Sequence, residues 1–247
     1  MRVWDPAGIR RGGRRRWEGT PVTRSALLVG ATGLVGGQLL ARLLRDPLYE
    51  RVTVLTRRPL GVRHPRLDAR VVDFAGLKGE ELPAVTDVYG ALGTTIRQAG
   101  SQEAFREVDQ HHTVRVAALA REAGAERIAV VSSVGAGSGS RAFYLRVKGD
   151  MEAEVTALGY PQTEFFRPSF ILGRRPSHRR GEGLGGSAAT VLAPLLAGPA
   201  RPSRPVPAGR LAAAMIAALA EDRRGVHVRT HEDFLALAPE PAAAGPA

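Results

Sequence analysis

Tyr144 and Lys148 stand four residues apart in "FYLRVKGDME", residues 143–152. On a helix this spacing sets both side chains on one face, about 5–6 Å apart at Cβ. A phenol with its ordinary pKa of about 10 is a poor proton carrier at neutral pH, and a neighbouring ammonium that stabilises phenolate makes it a better one. Arginine is no substitute, because its planar fork and different hydration alter the job. Composition sharpens the pairing: of 35 basic residues only Lys78 and Lys148 are lysines, and the chain has four tyrosines. A Tyr–Lys pair at this spacing arises by chance in roughly 3% of chains so composed. A proton-transfer couple is therefore favoured over an ordinary pair on an exposed helix.

A hydroxyl that holds a carbonyl oxygen would complete such a couple. Ser132 and Ser133 end the run "RIAVVSS" (127–133), 12 and 11 residues before Tyr144. Alternation along a strand lets only one of them face the site. Ser133, freer at the strand's edge, is the preferred third member, with Ser132 the alternative. The six histidines do not cluster with carboxylates at ligand spacing, and the adjacent His111 and His112 cannot share one helix face, so no metal site is expected. The absence of cysteine excludes disulfides and thiolate chemistry and suggests a reducing, cytoplasmic setting.

Proton transfer of this kind accompanies hydride transfer, and "LLVGATGLVGGQLLARLL" (27–44) offers a place for a dinucleotide. A strand runs into Gly30, the turn carries Gly33 and Gly36, and an amphipathic helix begins at once. The three glycines serve a tight turn, close backbone approach to a pyrophosphate, and close helix–strand packing. The helix N-terminus then presents free N–H groups and a positive dipole end to phosphate. Gly30, Ala31, Thr32, Gly33, Leu34, Val35 and Gly36 are the candidate phosphate-loop residues. The second strand ends in Thr56, Arg57 and Arg58, with no acid between 51 and 67 to bond a ribose 2′-hydroxyl. Two guanidinium groups suit a 2′-phosphate, so NADPH is favoured over NADH. Asp73 and Phe74 end the third strand, where a carboxylate can meet the adenine amino group or simply form a turn. Leu92, Gly93 and Thr94 in "ALGTT" close the fourth, where a small residue and hydroxyls suit backbone passing beside the cofactor or a simple strand-to-loop turn.

These residues need a frame that brings strand ends together. Apolar runs at 25–30, 52–56, 69–74, 87–92, 127–133 and 163–170 read as buried strands, and 226–229 as a short last one. Helical spacing occupies 34–45, 102–123, 142–158 and 209–222 between them. Alternation of this kind predicts an α/β fold: a Rossmann-type, doubly wound parallel sheet with helices on both faces, in a single domain over 25–237. Gly, Pro and Arg crowd residues 174–208, read as an irregular flap on the substrate side, and the last ten residues read as a disordered tail. The formal charge of +11 is concentrated in part at residues 1–24, where seven arginines face only Asp5 and Glu18. That segment reads as a basic, disordered extension with no secretory h-region. The remaining charge is dispersed, so no specific nucleic-acid partner is expected. No apolar run reaches the roughly 18–20 residues of a membrane span.

Taken in order, "VGATGLVG", "VTVLTRRPL", "VVDF", "ALGTT", "VSSVGA", "FYLRVKGDMEAEV" and "FRPSFILG" resemble the short-chain dehydrogenase/reductase superfamily. More narrowly they resemble its atypical branch, and there the Tat-interacting protein (oxidoreductase HTATIP2-like) family. The likeness covers about residues 25–173. It implies a Rossmann subunit that binds NADPH through the loop and arginines named above, with Asp73 near adenine and Leu92 and Gly93 beside the cofactor. It implies Tyr144 and Lys148 as the reductase pair, with Pro168 and Ser169 beside the nicotinamide amide. The resulting expectation is an NADPH-dependent carbonyl reductase of a small-molecule substrate, acting as a monomer or homodimer. The alternative is a non-catalytic, NADPH-binding regulatory or scaffold protein.

Overall fold

The structure is a computed structural model that describes residues 23–173 and 204–239. The expected N-terminal extension (apart from its last two residues), most of the 174–208 flap and nearly all of the C-terminal tail lie outside the described residues. Along the chain, β1 (Arg24–Val29) leads into α1 (Leu34–Leu43), followed by β2 (Tyr49–Thr56), β3 (Leu67–Val71) and β4 (Asp87–Gly90). Two short helices, α2 (Ile96–Ala99) and α3 (Gln102–Arg106), precede α4 (His112–Glu122), β5 (Arg127–Val131), α5 (Phe143–Ala157) and β6 (Gln162–Phe166). The chain then forms β7 (Ile171–Leu172), β8 (Val206–Pro207), α6 (Ala208–Ala220), β9 (Gly225–Arg229) and α7 (His231–Leu237).

Seven of these strands form one parallel sheet in the order β3-β2-β1-β4-β5-β6-β9. Central strands covered on both faces read as continuous apolar runs, and β1 and β5 do so because alternate residues feed two separate cores. Ala26, Leu28 and Ala129 pack with Leu39, Leu43, Leu211, Met215 and Phe234 from α1, α6 and α7. Leu27, Val29, Ile128 and Val130 pack with Val116, Ala120, Met151 and Val155 from α4 and α5. This is the doubly wound Rossmann arrangement. The order reverses at β1, so the crevice between the carboxyl ends of β1 and β4 is the topological switch point where such sheets bind ligands.

The opposite end of the sheet is tied by a buried carboxylate. Asp87, fully buried at the start of β4, accepts from Arg24 at 3.3 Å, Arg127 at 3.1 Å and the Tyr49 hydroxyl at 2.6 Å. The Tyr49 and Tyr89 hydroxyls meet at 2.7 Å, and Arg24 also donates to the Leu219 carbonyl of α6 at 2.8 Å. Burial, reinforced by the Asp87 charge, pushes both phenols above the ordinary tyrosine range. One carboxylate thus joins β1, β2, β4 and β5.

Several elements differ from their sequence reading, each for a physical reason. Arg24, assigned from sequence to the extension, is the first residue of β1 and pairs with Tyr49. The run at 69–74 is an edge strand two residues earlier, paired only with β2, and Val71 is 57% exposed. The run at 163–170 stops at Phe166. Pro168 lacks the N–H a ladder requires, and the chain resumes as β7, paired with β8 across the flap. The single helix expected over 102–123 is broken by a π turn at Glu107–His111. Residues Val206–Pro207, inside the expected irregular flap, form β8, and Ala208 already begins α6.

Asp87→Ala should lower unfolding stability by about 3 kcal/mol, because it leaves two guanidinium groups and a buried tyrosine without their acceptor. Glu126→Ala, which removes an exposed partner of Arg127, should change it by less than about 0.5 kcal/mol. Urea denaturation followed by circular dichroism measures both.

Candidate active site

The glycine loop is shaped by contacts that admit no side chain. Gly30 has φ +84°, and a Cβ there would lie 2.2 Å from the Ala91 carbonyl oxygen at the end of β4. A Cβ on Gly36 would lie 2.0 Å from the Gly30 carbonyl oxygen. Gly30 therefore lets the β1 turn cross β4, and Gly36 lets α1 start directly on that turn. Gly33 closes the loop by donating its N–H to the Gly30 carbonyl at 2.8 Å. No side chain caps α1, and its first turn holds no acid. An uncapped helix N-terminus beside close-approaching backbone fits a pyrophosphate. Val35 and Ala31 are buried beneath the loop, while Thr32 is exposed above it. Leu34 lies under Gly173, at the point where the chain leaves β7.

Along the same edge the structure places the adenosine candidates. Arg57 and Arg58 follow β2 and are exposed, with the Thr56 hydroxyl donating to the Arg58 carbonyl at 2.9 Å. Asp73 is exposed and accepts the Ala75 N–H at 3.1 Å, so its carboxylate already makes the turn that the sequence left open. Phe74 is buried and stacks on His112 at 5.4 Å between ring centroids. Burial, together with the Arg57 guanidinium and despite Glu107 and Asp73, holds the His112 imidazole below the ordinary histidine range.

At the ends of β5 and α5 the couple is assembled. Lys148 is buried in α5 and donates to the Val131 carbonyl at 3.4 Å. Tyr144 lies one turn earlier, with its ring 5.5 Å from the buried Phe105. Ser133 is the serine that interacts with the Tyr144 phenol; its hydroxyl donates to the Val134 carbonyl at 3.3 Å. The Ser132 hydroxyl is buried without a protein partner. A close backbone crossing sets this arrangement: a Cβ on Gly149 would lie 2.2 Å from the Gly137 carbonyl carbon. Gly137 donates its N–H to the Leu145 carbonyl at 3.2 Å, and Arg146 donates to the Ser140 carbonyl at 2.8 Å. The loop after Ser133 is thereby strapped to the first turns of α5. Pro168 and Ser169 complete the edge. The Pro168 carbonyl accepts from Val134 N–H at 3.1 Å, and Ser169 donates to the Arg204 carbonyl at 3.0 Å.

One member of the site escaped the sequence reading. Asp109, in the π turn, accepts from Lys148 Nζ at 2.7 Å through Oδ1 and from the Thr94 N–H at 2.9 Å through Oδ2. Its side chain is 1% exposed and that of Lys148 is 4% exposed. In the sequence Asp109 only opens a polar run, Asp109 to Thr113, in the middle of a helical stretch, and nothing there shows that Asp109 and Gln110 are buried. Asp109 also changes the electrostatics expected of the couple. Burial opposes the Lys148 ammonium, but Asp109, with Tyr144 and Glu152, outweighs it and holds the group above the ordinary lysine range. The Tyr144 phenol is raised, chiefly by burial and further by Asp109, while Lys148 and Ser133 pull it down. Lys148 thus acts on the phenol in the expected direction, but burial and Asp109 together outweigh it and leave the group above the ordinary tyrosine range.

Comparison with known proteins identifies a dinucleotide-binding family. A family model described as NAD(P)H-binding matches residues 30–160. The chain is 37% identical over 154 residues to the protein FMP52, mitochondrial, of Debaryomyces hansenii, covering 61% of this chain and 68% of that protein. It is 36% identical over 167 residues to the protein HTATIP2 of Rattus norvegicus, covering 65% and 68%. A short chain dehydrogenase from Burkholderia cenocepacia, solved in complex with NADP, shares the fold at TM-score 0.60 and 17% identity, over 87% of this chain and 91% of that one. MoeE5, solved with UDP-glucose and NAD, does so at TM-score 0.61 and 16% identity, over 86% and 80%. The cytoplasmic expectation is overturned: the relatives from D. hansenii, Eremothecium gossypii and Candida albicans are mitochondrial by name. Absence of cysteine speaks to redox state, which several compartments share, and not to address.

Gly36→Ala should drive a methyl into the Gly30 carbonyl and weaken dinucleotide binding at least about tenfold, whereas Gly37→Ala should not. At Gly37 a Cβ meets nothing closer than the Ala31 carbonyl at 3.5 Å, an ordinary contact. Calorimetric titration with NADPH measures the difference.

Proposed function

The chain belongs to the NAD(P)H-binding family, and from that premise we propose that it is an NADPH-dependent carbonyl reductase acting on a small molecule. The observation that carries this reading is the grouping of Tyr144, Lys148 and Ser133 on the same sheet edge as the glycine loop. When bound, the reduced dinucleotide supplies a hydride to the carbonyl carbon. The Ser133 hydroxyl orients the carbonyl oxygen. The Tyr144 phenol gives that oxygen its proton as the C=O π pair becomes the alcohol's O–H bond. The Lys148 ammonium stabilises the phenolate that remains until solvent returns a proton. Carbonyl is reduced, dinucleotide is oxidised, and the net proton comes from water.

The preference for NADPH rests on Arg57 and Arg58 and on the absence of an acid at the end of β2. Both guanidinium groups are exposed on the adenosine side of the crevice, where they can fork onto a 2′-phosphate. The competing reading, a protein that binds NADPH and regulates or scaffolds without turnover, shares the binding and lacks the chemistry.

An aldehyde and ketone panel assayed for NADPH consumption separates the two. Tyr144→Phe should lower turnover by about 10²–10⁴-fold and leave NADPH affinity unchanged; equal activity would remove Tyr144 from the role. Because the phenol lies above its ordinary value, the reduction rate should hold through alkaline pH and fall only above about pH 10, where the donor ionises. Replacing Arg57 and Arg58 together by alanine should weaken NADPH binding about tenfold or more, the worth of a lost charge-assisted contact. NADH binding should be nearly unchanged.

A further inference from the structure

Asp109 is more than a neighbour of the couple. Its two oxygens are fixed by different parts of the crevice wall, Oδ1 by Lys148 on α5 and Oδ2 by the Thr94 N–H in the loop after β4. It reaches that position because the π turn widens the helix for five residues, Glu107–His111, a local feature frequent at functional sites. The turn is held against α5 by a ladder of its own. Arg106 donates to Gln110 at 2.5 Å and to Asp150 at 3.0 Å, and Gln110 donates to Glu154 at 2.5 Å. None of these contacts is needed to build α5 as a helix. Together they aim one carboxylate at one ammonium.

An ammonium beside a phenol favours phenolate, and a carboxylate on that ammonium offsets part of the effect. The groups that face Tyr144 are Lys148 on its own helix, Asp109 from the π turn and Ser133 from the end of β5, with the Phe105 ring as an apolar wall. Lys148 in turn faces Asp109, Tyr144 and, more weakly, Glu152. We propose that Asp109 is a positioning residue for the couple: by engaging Lys148 it offsets the ammonium's pull toward phenolate and keeps Tyr144 in its proton-donor form. The proposal rests on the reductase reading above, but its main readout does not.

The experiment follows the ultraviolet absorbance of tyrosinate against pH in the ligand-free full chain. The Tyr144 signal is isolated by subtracting the Tyr144→Phe variant. In wild type, Tyr144 should ionise only above the ordinary tyrosine range. In Asp109→Asn, which keeps an acceptor for the Thr94 N–H, ionisation should move at least about one pH unit lower, a tenfold change. A Tyr144 signal unmoved or raised in Asp109→Asn overturns the proposal and leaves Asp109 as a structural counterion. A wild-type signal at or below the ordinary range overturns it too, even if the variant does not fold. Failure of the reductase reading appears separately, as wild-type protein that oxidises no NADPH with any carbonyl while the titration stands.

Discussion

An ammonium removed from water needs an anion, and in this protein that need organises the crevice wall. Lys148 is buried in the middle of α5, and its charge is compatible with folding because Asp109 meets it. Meeting it requires a π turn between α3 and α4, a ladder from Arg106 and Gln110 to α5, and a β4 loop that offers the Thr94 N–H. The pair thus links the loop beside the cofactor crevice to the helix that carries Tyr144. Substituting either partner alone leaves the other charge stranded, so the pair is a constraint as well as a contact.

A second constraint acts at the same edge and is steric. Gly30 and Gly36 permit backbone crossings that no side chain would allow, and Gly149 does the same where α5 passes the loop after Ser133. The first pair shapes the loop between β1 and α1. The last lets α5 pass close against the backbone of Gly137. The far end of the sheet is held instead by charge, with Asp87 receiving Arg24, Arg127 and Tyr49. The two ends divide the work: the buried network at strand starts fixes the order of β1, β2, β4 and β5, and the strand ends are left to carry chemistry.

What could be read from the chain follows the range of each signal. The glycine loop and the Tyr144–Lys148 spacing are local, within seven and five residues, and periodicity places both on the correct elements. The parallel order follows from alternation of strands and helices. Asp109 was not readable because it is 39 residues from Lys148 and because periodicity reads a straight helix where the chain forms a π turn. The exposure of β3 and β9 was not readable either, since an apolar alternation does not reveal whether a strand has one neighbour or two. Ser132 and Ser133 remained a choice because both follow the end of β5 at Val131, where strand alternation no longer fixes which hydroxyl faces the site. Even the sign of the phenol's shift depended on burial and on Asp109, neither of which a sequence spacing contains.

In the proposed reaction, hydride arrival at a carbonyl carbon is coupled to proton transfer from Tyr144. Single turnover with NADPH deuterated at the transferring C4 position, using an aldehyde and mass analysis of the alcohol formed, measures that coupling. One deuterium should appear on the carbinol carbon, and Tyr144→Phe should form that labelled alcohol far more slowly. Full binding of the labelled dinucleotide with no labelled alcohol across the carbonyl panel would contradict it.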